Sequence, residues 1–212
     1  MKVYLIKASS GSDYSKYKAA TGGPPQNIFA AAAATPKHID IEMSDETIGM
    51  KTNFKTDAEL IVIFMSTPDA LRAYEIADTF SKQGKTTILG GLHTKFNQEE
   101  AQDFADALII GEVENYWESL LEDFQNNCLK AKYENQLPVD LAQINPYPSH
   151  IIPPSTYNYT WSVVISRGCP YKCEFCLVHE FFDTFQLRPI EQVVAELKHL
   201  KELGVEWVRI TF

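Results

Sequence analysis

Cys169, Cys173 and Cys176 stand in a C-x3-C-x2-C spacing, three thiols within eight positions. Neighbours that close cannot build the long-range staples of a secreted disulfide fold, so they read as metal ligands in a reducing compartment. Two chemistries are open to them. Three thiolates can each bind one iron of a [4Fe–4S] cubane and leave the fourth iron without a protein ligand. The same cysteines with His179 would make a Cys3His zinc set. The loop leaves a strand and precedes a long helix, the place where barrel enzymes carry reactive groups and where small zinc modules seldom sit. Cys128, the fourth cysteine, lies alone in a polar stretch and reads as structural rather than as a further ligand.

The elements that must hold the loop follow from the pattern around it. Residues 161–166 alternate as a strand. A helix is predicted over 190–203, with Ile190, Val193, Val194, Leu197, Leu200 and Leu203 as its apolar stripe, Pro189 at its start and Gly204 at its end. Residues 205–212 form the next strand, with Val208, Ile210 and Phe212 on one face. One βαβ unit leaves a sheet edge and a face uncovered, so the expectation is a fragment of a longer barrel, or a unit that docks elsewhere.

Residues 1–126 alternate β-rich runs with helical patterns, the order of a parallel sheet covered on both faces. Strands are predicted at 2–6, 38–42, 60–65, 86–89 and 107–110; the third is apolar on both faces, as a central parallel strand must be. A helix begins at Thr67-Pro68 with Leu71, Tyr74, Ala77 and Phe80 as its buried stripe, and Gly84 closes it. Pro24-Pro25 opens another helix over 27–34, whose alanine run reads as close packing against the sheet.

Ligands of open sheets collect at the carboxyl ends of the strands. Ser9-Ser10-Gly11, Ser66-Thr67, Gly90-Gly91 and Gly111-Glu112 fall there. Those glycines either admit a ligand to the backbone or make tight turns, and spacing alone weighs the two equally. His93 reads as a solvated loop residue in preference to a ligand contact, and no G-x-G-x-x-G follows the first strand. Residues 127–159 lose periodicity, include Asn145-Pro146-Tyr147-Pro148 and Pro153-Pro154, and read as a linker laid over the first domain; 160–212 form the second unit.

Just under half of the residues are hydrophobic (45%), enough for a buried core, and the net charge of −9 is spread along the chain with no basic stripe for nucleic acid. No run approaches the roughly 18 apolar residues of a membrane span, and a signal-peptide core is absent, so the expectation is a cytoplasmic protein.

The stretch Ser166-Arg167-Gly168-Cys169-Pro170-Tyr171-Lys172-Cys173-Glu174-Phe175-Cys176 resembles the signature of the radical S-adenosylmethionine superfamily, including the aromatic before the last cysteine. Arg188-Pro189, the helix with Glu191 and Glu196, and Leu203-Gly204-Val205 are similar to that family's first helix and second strand. The first domain, with Gly90-Gly91-Leu92-His93 and Gly111-Glu112, is similar to the cobalamin-binding domain of one large branch.

The resemblance implies a Rossmann or flavodoxin-like doubly wound domain followed by the start of a TIM-like barrel. It implies Cys169, Cys173 and Cys176 as cluster ligands, the Phe175 backbone against the adenine of S-adenosylmethionine, and Ser66, Thr67, Gly90, Gly91, His93, Gly111 and Glu112 as candidate cobalamin contacts. Members of the branch transfer methyl groups or rearrange rings; an electron donor and a small-molecule substrate are the implied partners, with self-association through the incomplete barrel edge. Two departures stand out. Ser12-Asp13-Tyr14-Ser15 replaces the D-x-H-x-x-G that supplies an axial histidine, although several members lack it. The glycine-rich motif for the methionine amino group would follow Phe212, so this chain alone is expected to be inactive. Methylthiotransferases of the superfamily carry three more cysteines in the amino-terminal domain, and none precedes Cys128. The competing expectation is a module that binds cobalamin or another small ligand, with a non-catalytic metal-binding cysteine segment.

Overall fold

The computed structural model describes residues 1–11, 25–146, 151, 157, 161–182 and 184–211. Strands β1 (Lys2–Lys7), β2 (Asp40–Asp45), β3 (Leu60–Phe64), β4 (Thr86–Gly90), β5 (Ala107–Ile110) and β6 (Lys132–Glu134) form one parallel sheet in the order β2-β1-β3-β4-β5-β6. The expected α/β class and the five expected strands are present. The sixth strand is a correction, because Lys132–Glu134 falls inside the stretch read as linker. Only Tyr133 of its three residues is buried, too short a run for periodicity to reveal.

Alternate residues of each strand supply two cores, as a pleated sheet covered on both sides requires. Val3, Leu5, Leu60, Val62, Phe64, Ile88 and Ile109 face helices α1 (Gln26–Ala34) and α5 (Trp117–Gln125). Tyr4, Ile6, Ile61, Ile63, Leu89 and Leu108 face α2 (Ala70–Ser81), with the short helices α3 (Leu92–Phe96) and α4 (Gln98–Gln102) beyond β4. Of the stripe expected on α2, Tyr74, Ala77 and Phe80 are buried and Leu71 is not. Thr67–Asp69 forms a 3-10 turn with Ser66 at its cap, so the α-helix starts at Ala70 and its phase turns Leu71 outward, 77% exposed. Ala70, Ala73 and Ile76 complete the buried face.

The second unit pairs β7 (Trp161–Val164) with β10 (Val208–Thr211) in parallel through α7 (Ile190–Glu202). Between them, β8 (Ser166–Arg167) and β9 (Gln186–Leu187) make an antiparallel neck for the cysteine loop, which contains the short helix α6 (Val178–Phe181). The last strand starts three residues later than expected, because Val205 closes the helix by bonding the Leu200 carbonyl at 3.0 Å. On α7 only Val193, Leu197 and Leu200 pack inward; Ile190, Val194 and Leu203 are exposed, as is Ile210 of β10. A two-stranded sheet covers just one side of a helix.

The unit docks on the first domain. Trp161, Val163 and Leu200 belong to the same buried cluster as Phe29 of α1. The rings of Phe29 and Trp161 stack at 5.9 Å, and Tyr157 meets both edge-on. Tyr157 also donates to Asp45 at 3.1 Å, and the Asn145 amide donates to the Ala33 carbonyl at 2.9 Å, so the connecting segment is fastened across α1. Among the described residues no helix is long and apolar enough to cross a membrane.

Candidate functional site

Cys169, Cys173 and Cys176 are all free, the first and third partly buried and Cys173 exposed. The Cys176 N–H bonds the Cys173 carbonyl at 3.0 Å, a tight turn between two of the thiols. Around them Tyr171 and Phe175 are 72% and 90% exposed. Gly168 sets the loop's departure, with φ +79° and an ideal Cβ position only 2.2 Å from the Thr184 carbonyl oxygen, so no other residue fits the neck.

His179, the fourth donor of a zinc set, lies on α6 with Nδ1 buried and unpartnered and Nε2 3.7 Å from Glu180. Among the described residues, no three His, Cys, Asp or Glu side chains are gathered as a preformed metal set. What fits a cubane cluster is the donor chemistry: three free thiols on one loop with fixed necks. Any bound cluster would bring the thiols together.

Both necks are fixed by arginines that the sequence reading assigned no role. Arg167 reaches across to the first domain, Nη1 at 2.7 Å from Glu112 and Nη2 at 2.6 Å from Glu114, with all three side chains largely buried. Burial works against the arginine charge, and the two carboxylates overcome it and raise its pKa. Arg188 donates to Glu196 at 2.6 Å and to the Val164 carbonyl at 2.9 Å, tying the other neck to α7 and β7. Beside Arg167 lies a cleft of about 720 Å³ between α1, residues 134–145 and β7. Burial first, then Glu114, Glu112 and Glu134, push the phenol of Tyr116 in its wall upward.

At the carboxyl end of the first sheet, the polar side chains are engaged with neighbouring residues. Ser66 donates to Asp69 at 2.5 Å, and Asp69 also accepts from the Ser10 N–H and pairs with Lys7 at 3.5 Å. Burial holds the Lys7 amine below its ordinary pKa. Lys7 and Asp69 stand between β1 and β3, the switch point of the topology.

His93 is not a solvated loop residue. It is 5% exposed. Its Nε2 lies 3.0 Å from the Tyr74 hydroxyl, which donates to Glu100; its Nδ1 lies 3.2 Å from the Asn97 amide and 3.3 Å from Thr67. Both ring nitrogens are thus engaged by neighbouring side chains. Gly91, at φ +107°, has its ideal Cβ position 2.3 Å from the Met65 carbonyl oxygen, so close strand packing requires the glycine. At Gly90 the same position meets Phe64 and Ile109. Gly111 turns the chain at φ +82° in open space, and Glu112 serves the Arg167 pair. Residues 12–15, where the axial-histidine motif would stand, are outside the described residues.

No protein-family model matches the chain. It is 39% identical over 155 residues to bacteriochlorophyllide d C-8(2)-methyltransferase of Chlorobaculum tepidum, covering 69% of this chain and 34% of that protein. It is 29% identical over 196 residues to the bacteriochlorophyllide d C-12(1)-methyltransferase of the same organism, covering 89% and 43%. To ribosomal protein uS12 methylthiotransferase RimO of Desulforamulus reducens it is 31% identical over 141 residues, covering 62% and 30%. The matches support the radical S-adenosylmethionine superfamily. The chain spans 30 to 43% of the length of these three relatives.

Proposed function

We propose that this chain carries the cluster loop and the amino-terminal domain of a radical S-adenosylmethionine methyltransferase, acting on a small molecule with an external electron donor. The observation that carries the reading is the loop: three free thiols in the superfamily's spacing, between fixed necks. If bound, a cluster with one iron free of protein ligands would be chelated there by the amino and carboxylate groups of S-adenosylmethionine and would supply the electron for cleaving its carbon–sulfur bond. The chain's own part is to present the thiols, to offer the Phe175 backbone to the adenine, and to hold the loop against the first domain. Methyl transfer is favoured over methylthio transfer because no cysteine precedes Cys128.

Cobalamin in the first domain is the second cofactor of this proposal, supported by the order of the parallel sheet and its switch point between β1 and β3. Four free cysteines agree with a reducing cytoplasm. Anaerobic reconstitution of the chain with iron and sulfide tests the core of the reading and should give about four irons per chain. Uptake of stoichiometric zinc and no iron would refute it. Cobalamin is tested separately, by retention through gel filtration and by the shift of its absorption spectrum on mixing.

A further inference from the structure

We propose that Arg167 is a positioning residue for the cysteine loop, and that it sets the loop against the carboxyl end of the first domain's sheet through Glu112 and Glu114. Arg167 is two residues before Cys169 and ends β8, so any movement of its backbone passes through Gly168 directly into the first thiol. Its guanidinium does not serve its own unit. It crosses to the turn after β5 and takes one carboxylate on each outer nitrogen.

That turn is stiff. The Glu112 carbonyl accepts from the Asn135 amide at 2.8 Å beside β6, and Trp117, three residues beyond Glu114, is wholly buried and donates to Thr35 at 2.8 Å. Glu134 and the unpartnered Tyr116 hydroxyl crowd the same spot, so removing Arg167 would take its positive charge away from two largely buried carboxylates. The opposite neck, held by Arg188, is fastened within the second unit alone. Arg167 is therefore the charged tie by which the first domain fixes where the loop starts. A lysine cannot replace it, since an ammonium lacks the planar fork that meets two acceptors at once.

Alkylation of the metal-free, reduced chain tests this, with each cysteine followed by peptide mass and Cys128 as internal reference on the first domain. In Arg167→Gln, Arg167→Lys and the double variant Glu112→Gln with Glu114→Gln, the partly buried Cys169 and Cys176 should react about tenfold faster relative to Cys128. Hydrogen exchange at 166–187 should rise while the strands of the first sheet keep their protection. Ratios within twofold of the parent in all three variants would overturn the proposal. So would a rise shared by Cys128, which would make Arg167 a general stabiliser of the fold.

A last readout rests on the cluster reading above. In iron-loaded protein, Arg167→Lys should shift the reduction midpoint and the electron paramagnetic resonance line shape of the cluster, and an unchanged spectrum would count against positioning. If no variant, the parent included, takes up iron while the alkylation ratios respond, the cluster reading fails and the positioning role stands.

Discussion

Gly91→Ala separates a glycine kept for packing from one kept for a ligand. The residue follows β4 at φ +107°, and an added Cβ would lie 2.3 Å from the Met65 carbonyl oxygen and 3.0 Å from the Met65 nitrogen. Neither atom is a flexible side-chain end, and Met65 cannot retreat cheaply because its N–H bonds the Gly90 carbonyl at 2.9 Å. Backbone strain of about 1–3 kcal/mol and overpacking of similar size add to about 2–6 kcal/mol. That is a large share of an ordinary domain's stability. Gly84→Ala is the control, with φ +75° and nothing within 4 Å of the added carbon, so it bears the conformational cost alone, about 1–2 kcal/mol. Urea unfolding of both variants without added cofactor, fitted with a common slope, measures the difference. A Gly91→Ala loss no larger than that of Gly84→Ala would refute the packing argument and return Gly91 to the ligand reading.

Other perturbations address docking, charge and the thiols. Phe29→Ala or Trp161→Ala empties a buried ring stack and should cost about 3–5 kcal/mol, seen first as faster hydrogen exchange in 161–211 while β3 stays protected. Burial raises the Asp45 pKa above its ordinary 3.8 despite bonds from Thr47 and Tyr157. A raised carboxyl contributes stability that is present below its unfolded pKa and lost as pH rises through the folded one. The stability of the parent minus that of Asp45→Asn should therefore fall as pH rises above the ordinary carboxyl value of 3.8 in urea titrations, and a rise would show the opposite shift. Replacing Cys169, Cys173 and Cys176 together by serine should abolish iron binding, whereas Cys128→Ser should retain about four irons per chain.

The elements that sequence made legible are those whose physics is local. β3 reads as a central strand because five successive residues must be apolar when both faces are covered, and all five are buried. The start and end of α7 follow from Pro189 and Gly204 through backbone constraints a few residues wide. Leu71 shows where such reasoning runs out: Tyr74, Ala77 and Phe80 of the expected stripe are buried, but the 3-10 turn over Thr67–Asp69 makes Leu71 the second residue of α2, where it is exposed. β6 was invisible for a different reason. Three residues cannot display a period, and its place comes from pairing with β5, which supplies the partner carbonyls and amides.

The candidate site divides the same way. Three thiols and a glycine neck are local in the chain, so spacing discloses them, whereas what each polar residue does is settled by partners far off in sequence. His93 looked solvated because it stands alone in a loop after a glycine pair; its burial is made by Tyr74 from another helix, 19 residues away, and by Thr67. Glu112 looked like a ligand contact because it ends a strand, yet its carboxylate meets Arg167, 55 residues on. A long-range ion pair leaves no periodic trace, because either partner alone reads as a solvated charge. It is also the kind of contact through which a sheet end and a cysteine loop, each recognisable separately, become one arrangement. The Glu112–Arg167–Glu114 bridge joins the turn after β5 to the residue two positions before Cys169.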